Sequence, residues 1–128
     1  VLVCNSGNDT LIGSGGRDVL IGGSGQDTIS GGNDDDILIA GSTAFDAAIS
    51  SLNTIRTEWI SGNSYGTRVN NLRSGVGSPS VSLNATNNVL NDSGADDSLT
   101  GGSGTDWYFR AIDDVITDLL AGELTDSL

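Results

Sequence analysis

The sequence predicts a mainly β protein of short stacked rows, with an inserted two-helix segment packed on one sheet. Three observations carry this. Asp, Gly and large apolar residues recur every nine positions. That step gives way to a helical period near residue 47 and returns near residue 92. Alternate rows also carry outward-facing residues of opposite character. A single domain is expected over 1–128, with rows in 1–46, a helical insertion in 47–80, and a return strand, further rows and a tail in 81–128.

The step is read directly from the chain. Asp9, Asp18, Asp27 and Asp36 stand nine apart, as do Leu11, Leu20, Ile29 and Leu38. Gly7, Gly16 and Gly25 keep the same spacing, with Asp34 in the next place, and so do Gly13, Gly22 and Gly31. Residues 22–30 read GGSGQDTIS and residues 101–109 read GGSGTDWYF. Residues 92–100, DSGADDSLT, put Asp97 and Leu99 in frame with Asp106 and Tyr108. Such a row divides into a six-residue turn, where Gly supplies positive φ, and a three-residue strand whose middle side chain points inward. A strand this short does not stand alone, so the rows stack. Two rows make one coil, so alternate rows belong to opposite sheets.

These rows resemble the RTX calcium-binding nonapeptide, G-G-x-G-x-D-x-U-x with U a large apolar residue. The resemblance covers residues 4–39 and 92–109. The departures are Cys4-Asn5, Ser14-Gly15, Asp34, Asp92-Ser93 and Ala95. It implies a parallel β-roll with calcium between successive turns along each edge. The metal-ligating residues it implies are the carboxylates of Asp9, Asp18, Asp27, Asp36, Asp97 and Asp106, with backbone carbonyls at Gly13, Gly22, Gly31 and Gly101. Calcium takes six to eight oxygens from carboxylates and carbonyls. Rows eighteen apart pair Asp9 with Asp27 and Asp18 with Asp36. Asx-turns would explain each Asp singly, but not six in one frame.

After Ile39 the frame decays. Asp46 reads as a helix N-cap, or else as a shifted ligand. Ile49, Leu52, Ile55, Trp59 and Ile60 form one helical face, with Gly62 as its stop. A second helix is predicted over about 64–73, with Tyr65, Val69 and Leu72 on one side. Residues 74–80 are a loop, and Val81 to Leu90 reads as a return strand. Row parity says where the helices go. Thr10, Ile12, Thr28, Ser30, Ser98 and Thr100 face outward from one sheet, and Val19, Ile21, Ile37, Ile39, Trp107 and Phe109 from the other. A bare apolar face of that size is a liability, so the helices are expected on the second sheet, with Trp59 and Trp107 in the core. In the tail, Asp113, Asp114 and Asp118 read as a solvated face rather than a decayed last row.

Composition narrows the function. Seventeen acids face five bases, all Arg, for a net charge of −12, which argues against nucleic acid or an anionic membrane as partner. With no His, triads and most zinc sites are excluded. A single Cys4 makes no intrachain disulfide. No apolar run approaches the roughly 18 residues of a membrane span. The chain has no Met, and Val1 opens in mid-pattern, as expected for a piece of a longer protein. No enzymatic activity is expected, because the repeat claims every well-placed Asp. The expected function is a calcium-binding structural module, secreted or at the cell surface, that folds on calcium binding. The alternative is a self-assembling subunit of a filament or surface layer, built head to tail through the ends of the roll.

Overall fold

The computed structural model describes residues 1–128. In chain order the strands and helices are β1 (Leu2–Val3), β2 (Thr10–Ser14), β3 (Val19–Ile21), β4 (Thr28–Asn33), β5 (Ile37–Ile39), β6 (Ser42–Thr43), α1 (Ile49–Trp59), α2 (Tyr65–Ser74), β7 (Val89–Leu90), β8 (Ser98–Ser103), β9 (Trp107–Arg110), β10 (Val115–Ile116) and β11 (Leu124–Ser127). The rows alternate between two parallel sheets, ordered β1-β3-β5-β9-β11 and β10-β8-β4-β2. This is mostly strand, parallel, with two helices, and it is compatible with a β-roll.

Register follows the nine-residue step taken twice in the first rows, and the rows after the insertion stack in the same frame 70 residues on. Leu11 pairs with Ile29 and Ile29 with Leu99. On the other sheet Leu20 pairs with Leu38 and Leu38 with Tyr108. All six of these side chains are buried together between the sheets. In the turns, successive coils approach too closely for a side chain. A Cβ on Gly23, at φ 109°, would strike the backbone of Asn5 one coil away. The expected three-residue strands hold for β3 and β5, but β4 and β8 extend to six, running on into the following glycines.

The outer face of the five-stranded sheet is covered. Val19, Ile21, Ile37, Ile39, Trp107 and Phe109 share one buried cluster with Leu52, Ile55 and Trp59 of α1 and Val69 and Leu72 of α2. Trp107 packs on Phe109 at 4.7 Å between ring centroids and on Trp59 at 6.2 Å. The other sheet turns Thr10, Ile12 and Thr28 to solvent.

Several expectations from sequence are corrected. Ile49, the first residue of α1, and Ile60, its C-cap, are exposed, because the helix buries only the narrower stripe Leu52, Ile55 and Trp59. Asp46 neither caps the helix nor faces another row: the N-cap is Ala48 without a side-chain bond, and the Asp46 carboxylate closes a turn on the Thr43 amide and hydroxyl. Ser64, by contrast, caps α2 through the Thr67 amide. Of the return strand only Val89–Leu90 is extended, and it pairs antiparallel with Ser42–Thr43. Val81 makes a lone bridge to Val76, and Asn84 organises the turn that follows, accepting the Thr86 amide while its own amide donates to Asn88 Oδ1. The tail is not a solvated face. It forms two further rows, β10 beside β8 and β11 beside β9, at a seventeen-residue offset.

Candidate metal centre

The turns joining the sheets stack along two edges, each with a ladder of Asp. On the first edge the Asp9 amide donates to Asp27 Oδ1 at 2.8 Å, the Asp27 amide to Asp97 Oδ1 at 2.6 Å, and the Asp97 amide to Asp114 Oδ1 at 3.1 Å. On the second, the Asp18 amide donates to Asp36 Oδ1 and the Asp36 amide to Asp106 Oδ1, both at 2.7 Å. One oxygen of each upper rung is thereby fixed by the backbone of the coil below. Each rung also fixes its neighbour in the pleat, because the amide of the residue after Asp joins the ladder through the preceding Asp carbonyl, as Thr28 does to Asp9 and Ile37 to Asp18.

The second oxygen is the informative one. Oδ2 of Asp9, Asp27, Asp36, Asp97 and Asp106 is buried with no hydrogen-bond partner. Four Asp aim this oxygen at the glycine five residues earlier: Asp18 at Gly13, Asp27 at Gly22, Asp36 at Gly31 and Asp106 at Gly101. A Cβ on Gly22 would collide with the Asp27 carboxylate and the Ala40 carbonyl, and one on Gly31 with the Asp36 carboxylate and the Gly101 carbonyl. The bare Cα thus leaves a cradle in which a carboxylate oxygen and a carbonyl oxygen from the next coil meet. Asp18 shares the geometry but is partly exposed.

Burial is the main cause of the electrostatic strain. It pushes the carboxyls of Asp36, Asp97 and Asp106 up to about 7, against the opposing pull of the ladder amides, and neighbouring carboxylates push the same way. Asp27 is raised too, by burial first, with Asp9 and Asp92 adding to it. A buried carboxylate oxygen with no donor is costly unless a proton or a cation neutralises it. No group of three or more Asp, Glu or Cys side chains is placed to hold a metal. A cation here therefore has to draw on backbone carbonyls as well, and the donor set of carboxylates and carbonyls is the one that hard calcium ions take.

Sequence reasoning missed three acids. Asp92 stands where Gly22 stands one coil earlier, with a buried, unpartnered Oδ2. Asp114 and Glu123 lie opposite Asp97 and Asp106, as the neighbouring register pairs show. The signal was present, since these two acids are themselves nine apart; the frame had only slipped by one residue. The structure also shows what holds the insertion to the second edge. Trp59 Nε1 donates to the Asp35 carbonyl at 2.9 Å and the Tyr65 hydroxyl to the Asp106 carbonyl at 2.8 Å. Buried Arg68 pairs with the Asp35 carboxylate and lies 4.6 Å over the Trp59 ring.

Comparison with known proteins agrees with the ladder. The family model described as the RTX calcium-binding nonapeptide repeat (4 copies) matches residues 5–42 and 83–116, more than half of the chain. No curated protein and no solved structure matches it. Repeats of this family bind calcium and serve a structural role. With paired rows, Gly cradles and unpartnered Asp oxygens in the frame of that repeat, the chain belongs to the RTX calcium-binding nonapeptide repeat family.

Proposed function

We propose that this chain is a calcium-dependent folding module that closes outside the cell. The observation that carries the reading is the set of five buried Asp oxygens without partners, on Asp9, Asp27, Asp36, Asp97 and Asp106. Bound calcium would supply positive charge at the row edges. The carboxylates of those five Asp, with Asp18, would hold it together with carbonyls of the Gly-rich turns, including those of Gly13, Gly22, Gly31 and Gly101. Such a site does not exist in an extended chain, so metal binding becomes folding free energy. In a calcium-poor cytosol the stacked carboxylates repel and the rows stay open, whereas calcium outside the cell reaches the millimolar range that weak modules need. Secretion or surface display follows from this reading and matches where such repeat proteins typically reside.

Circular dichroism tests it. In EDTA at low ionic strength the repeat region should lose most of its β signal, and about millimolar calcium should restore it. Magnesium should substitute poorly, since it demands a smaller octahedral shell. Identical spectra in EDTA and calcium would sink the reading.

A second reading, head-to-tail assembly into filaments, is favoured by one observation. Exposed Ile112, Val115, Leu119 and Leu120 lie in the row that ends the four-stranded sheet and the turn after it. Electron microscopy with and without calcium separates the readings: fibres that appear only with calcium favour assembly, and dispersed particles favour the folding module alone.

A further inference from the structure

The two edges end differently. On the first, Asp114 accepts the Asp97 amide through Oδ1 and the Ala111 amide through Oδ2, so neither oxygen is free. On the second, Glu123 stands opposite Asp106, because Leu124 pairs with Trp107. Its Oε2 accepts the Leu120 amide at 2.6 Å and the Tyr108 hydroxyl at 3.4 Å. Its Oε1 is buried without a partner. Asp106, fully buried, likewise leaves Oδ2 without one. The Asp106 oxygen and the Tyr108 hydroxyl converge over Gly101, where a Cβ would collide with both. Asp118 fixes this floor by accepting the Gly101 and Gly102 amides at 3.0 and 2.8 Å.

The bonds Glu123 makes do not need an acid. A Gln oxygen would accept from Leu120 and Tyr108 equally well, so only the negative charge is left without a use. We propose that Asp106 Oδ2 and Glu123 Oε1 together ligate a calcium ion at the end of the second edge, in a row outside the recognisable repeat. This rests on the calcium reading of the rows. Two carboxylates and a phenol form an oxygen set of uneven reach, which calcium tolerates and magnesium does not.

Equilibrium dialysis with calcium on the full chain tests the assignment. Glu123→Gln should bind one ion fewer than the unaltered chain, whereas Glu58→Gln, an equal loss of charge on α1, should bind the same number. Terbium emission sensitised through tyrosine should fall in Glu123→Gln alone. An unchanged count and unchanged emission would mean that the two carboxyls share a proton, and the proposal fails. If Glu123→Gln does not fold, Glu123→Asp decides. Keeping the charge but drawing it back by one methylene should weaken one site about tenfold; equal affinity at every site overturns the proposal. An unaltered chain that binds no calcium refutes the module reading itself, which is a distinct result.

Discussion

Asp36 has no solvent exposure, and its two oxygens do different work: Oδ1 receives the Asp18 amide and Oδ2 receives nothing. Asparagine would keep the first role and abolish the second. Asp36→Asn is therefore expected to act in opposite directions under two conditions. Without calcium it removes a desolvated charge and should increase order. With calcium it removes a proposed ligand and should weaken binding. Each effect should be about 1–3 kcal/mol, the cost of leaving a buried polar group unmatched. Thermal melts of both proteins in EDTA and in calcium measure it, and a shift of the same sign in both would contradict the two-role assignment.

The insertion follows the same physics at the scale of elements. β6 and β7 form a neck that leaves the roll after Gly41 and returns before Asp92, splitting one turn of the first edge. α1 and α2 then cross the apolar sheet and reach the second edge, where Trp59, Tyr65 and Arg68 hold turn residues Asp35 and Asp106. The apolar contact provides the stability, because burying a large side chain contributes roughly 1.5–3 kcal/mol. The polar contacts set position more than they stabilise, since a buried ion pair such as Arg68–Asp35 sets its Coulomb gain against desolvation. Ile21→Ser with Ile39→Ser should therefore loosen the helices and shift Trp59 fluorescence to the red, while the rows still bind calcium. Serine at Thr10 and Thr28, which face solvent, should change neither. Loss of calcium binding in the Ile double variant would show that the helices are required to hold the edges, against this account.

For the whole molecule, the stacked acids set the dependence on pH. Asp36, Asp97 and Asp106 titrate near 7 in the calcium-free fold against an ordinary 3.8, so folding takes up protons. Their contribution to stability is fully present below the ordinary value and is lost as pH rises through about 7. The calcium-free chain should thus become more ordered on acidification from about pH 8 to pH 5. Calcium affinity should fall over the same interval, because protons and the cation compete for the same oxygens. Calcium titrations by circular dichroism at successive pH values check both trends, and an affinity independent of pH between 8 and 6 would contradict the buried-carboxylate site.

The nine-residue step made the rows, the two Asp edges and the inward apolar residues legible, because each row depends on a local rule: Gly for the turn, Asp for the rung, one apolar residue for the strand. Row parity also pointed to the sheet that carries the helices, since Val19, Ile21, Ile37 and Ile39 fall together on any coil of two rows. The rest depends on partners distant in sequence. Asp46 closes a turn on Thr43 because the neck to Val89–Leu90 places it there, and no local signal separates that from a helix cap. Asp114 and Glu123 become row residues only because β8 and β9 offer open edges, and backbone pairing is satisfied after seventeen residues as well as after eighteen. A repeat in the sequence thus determined what one row is. Which further segments joined the stack was decided by the tertiary structure, because hydrogen bonds between coils depend on the backbone and not on the motif.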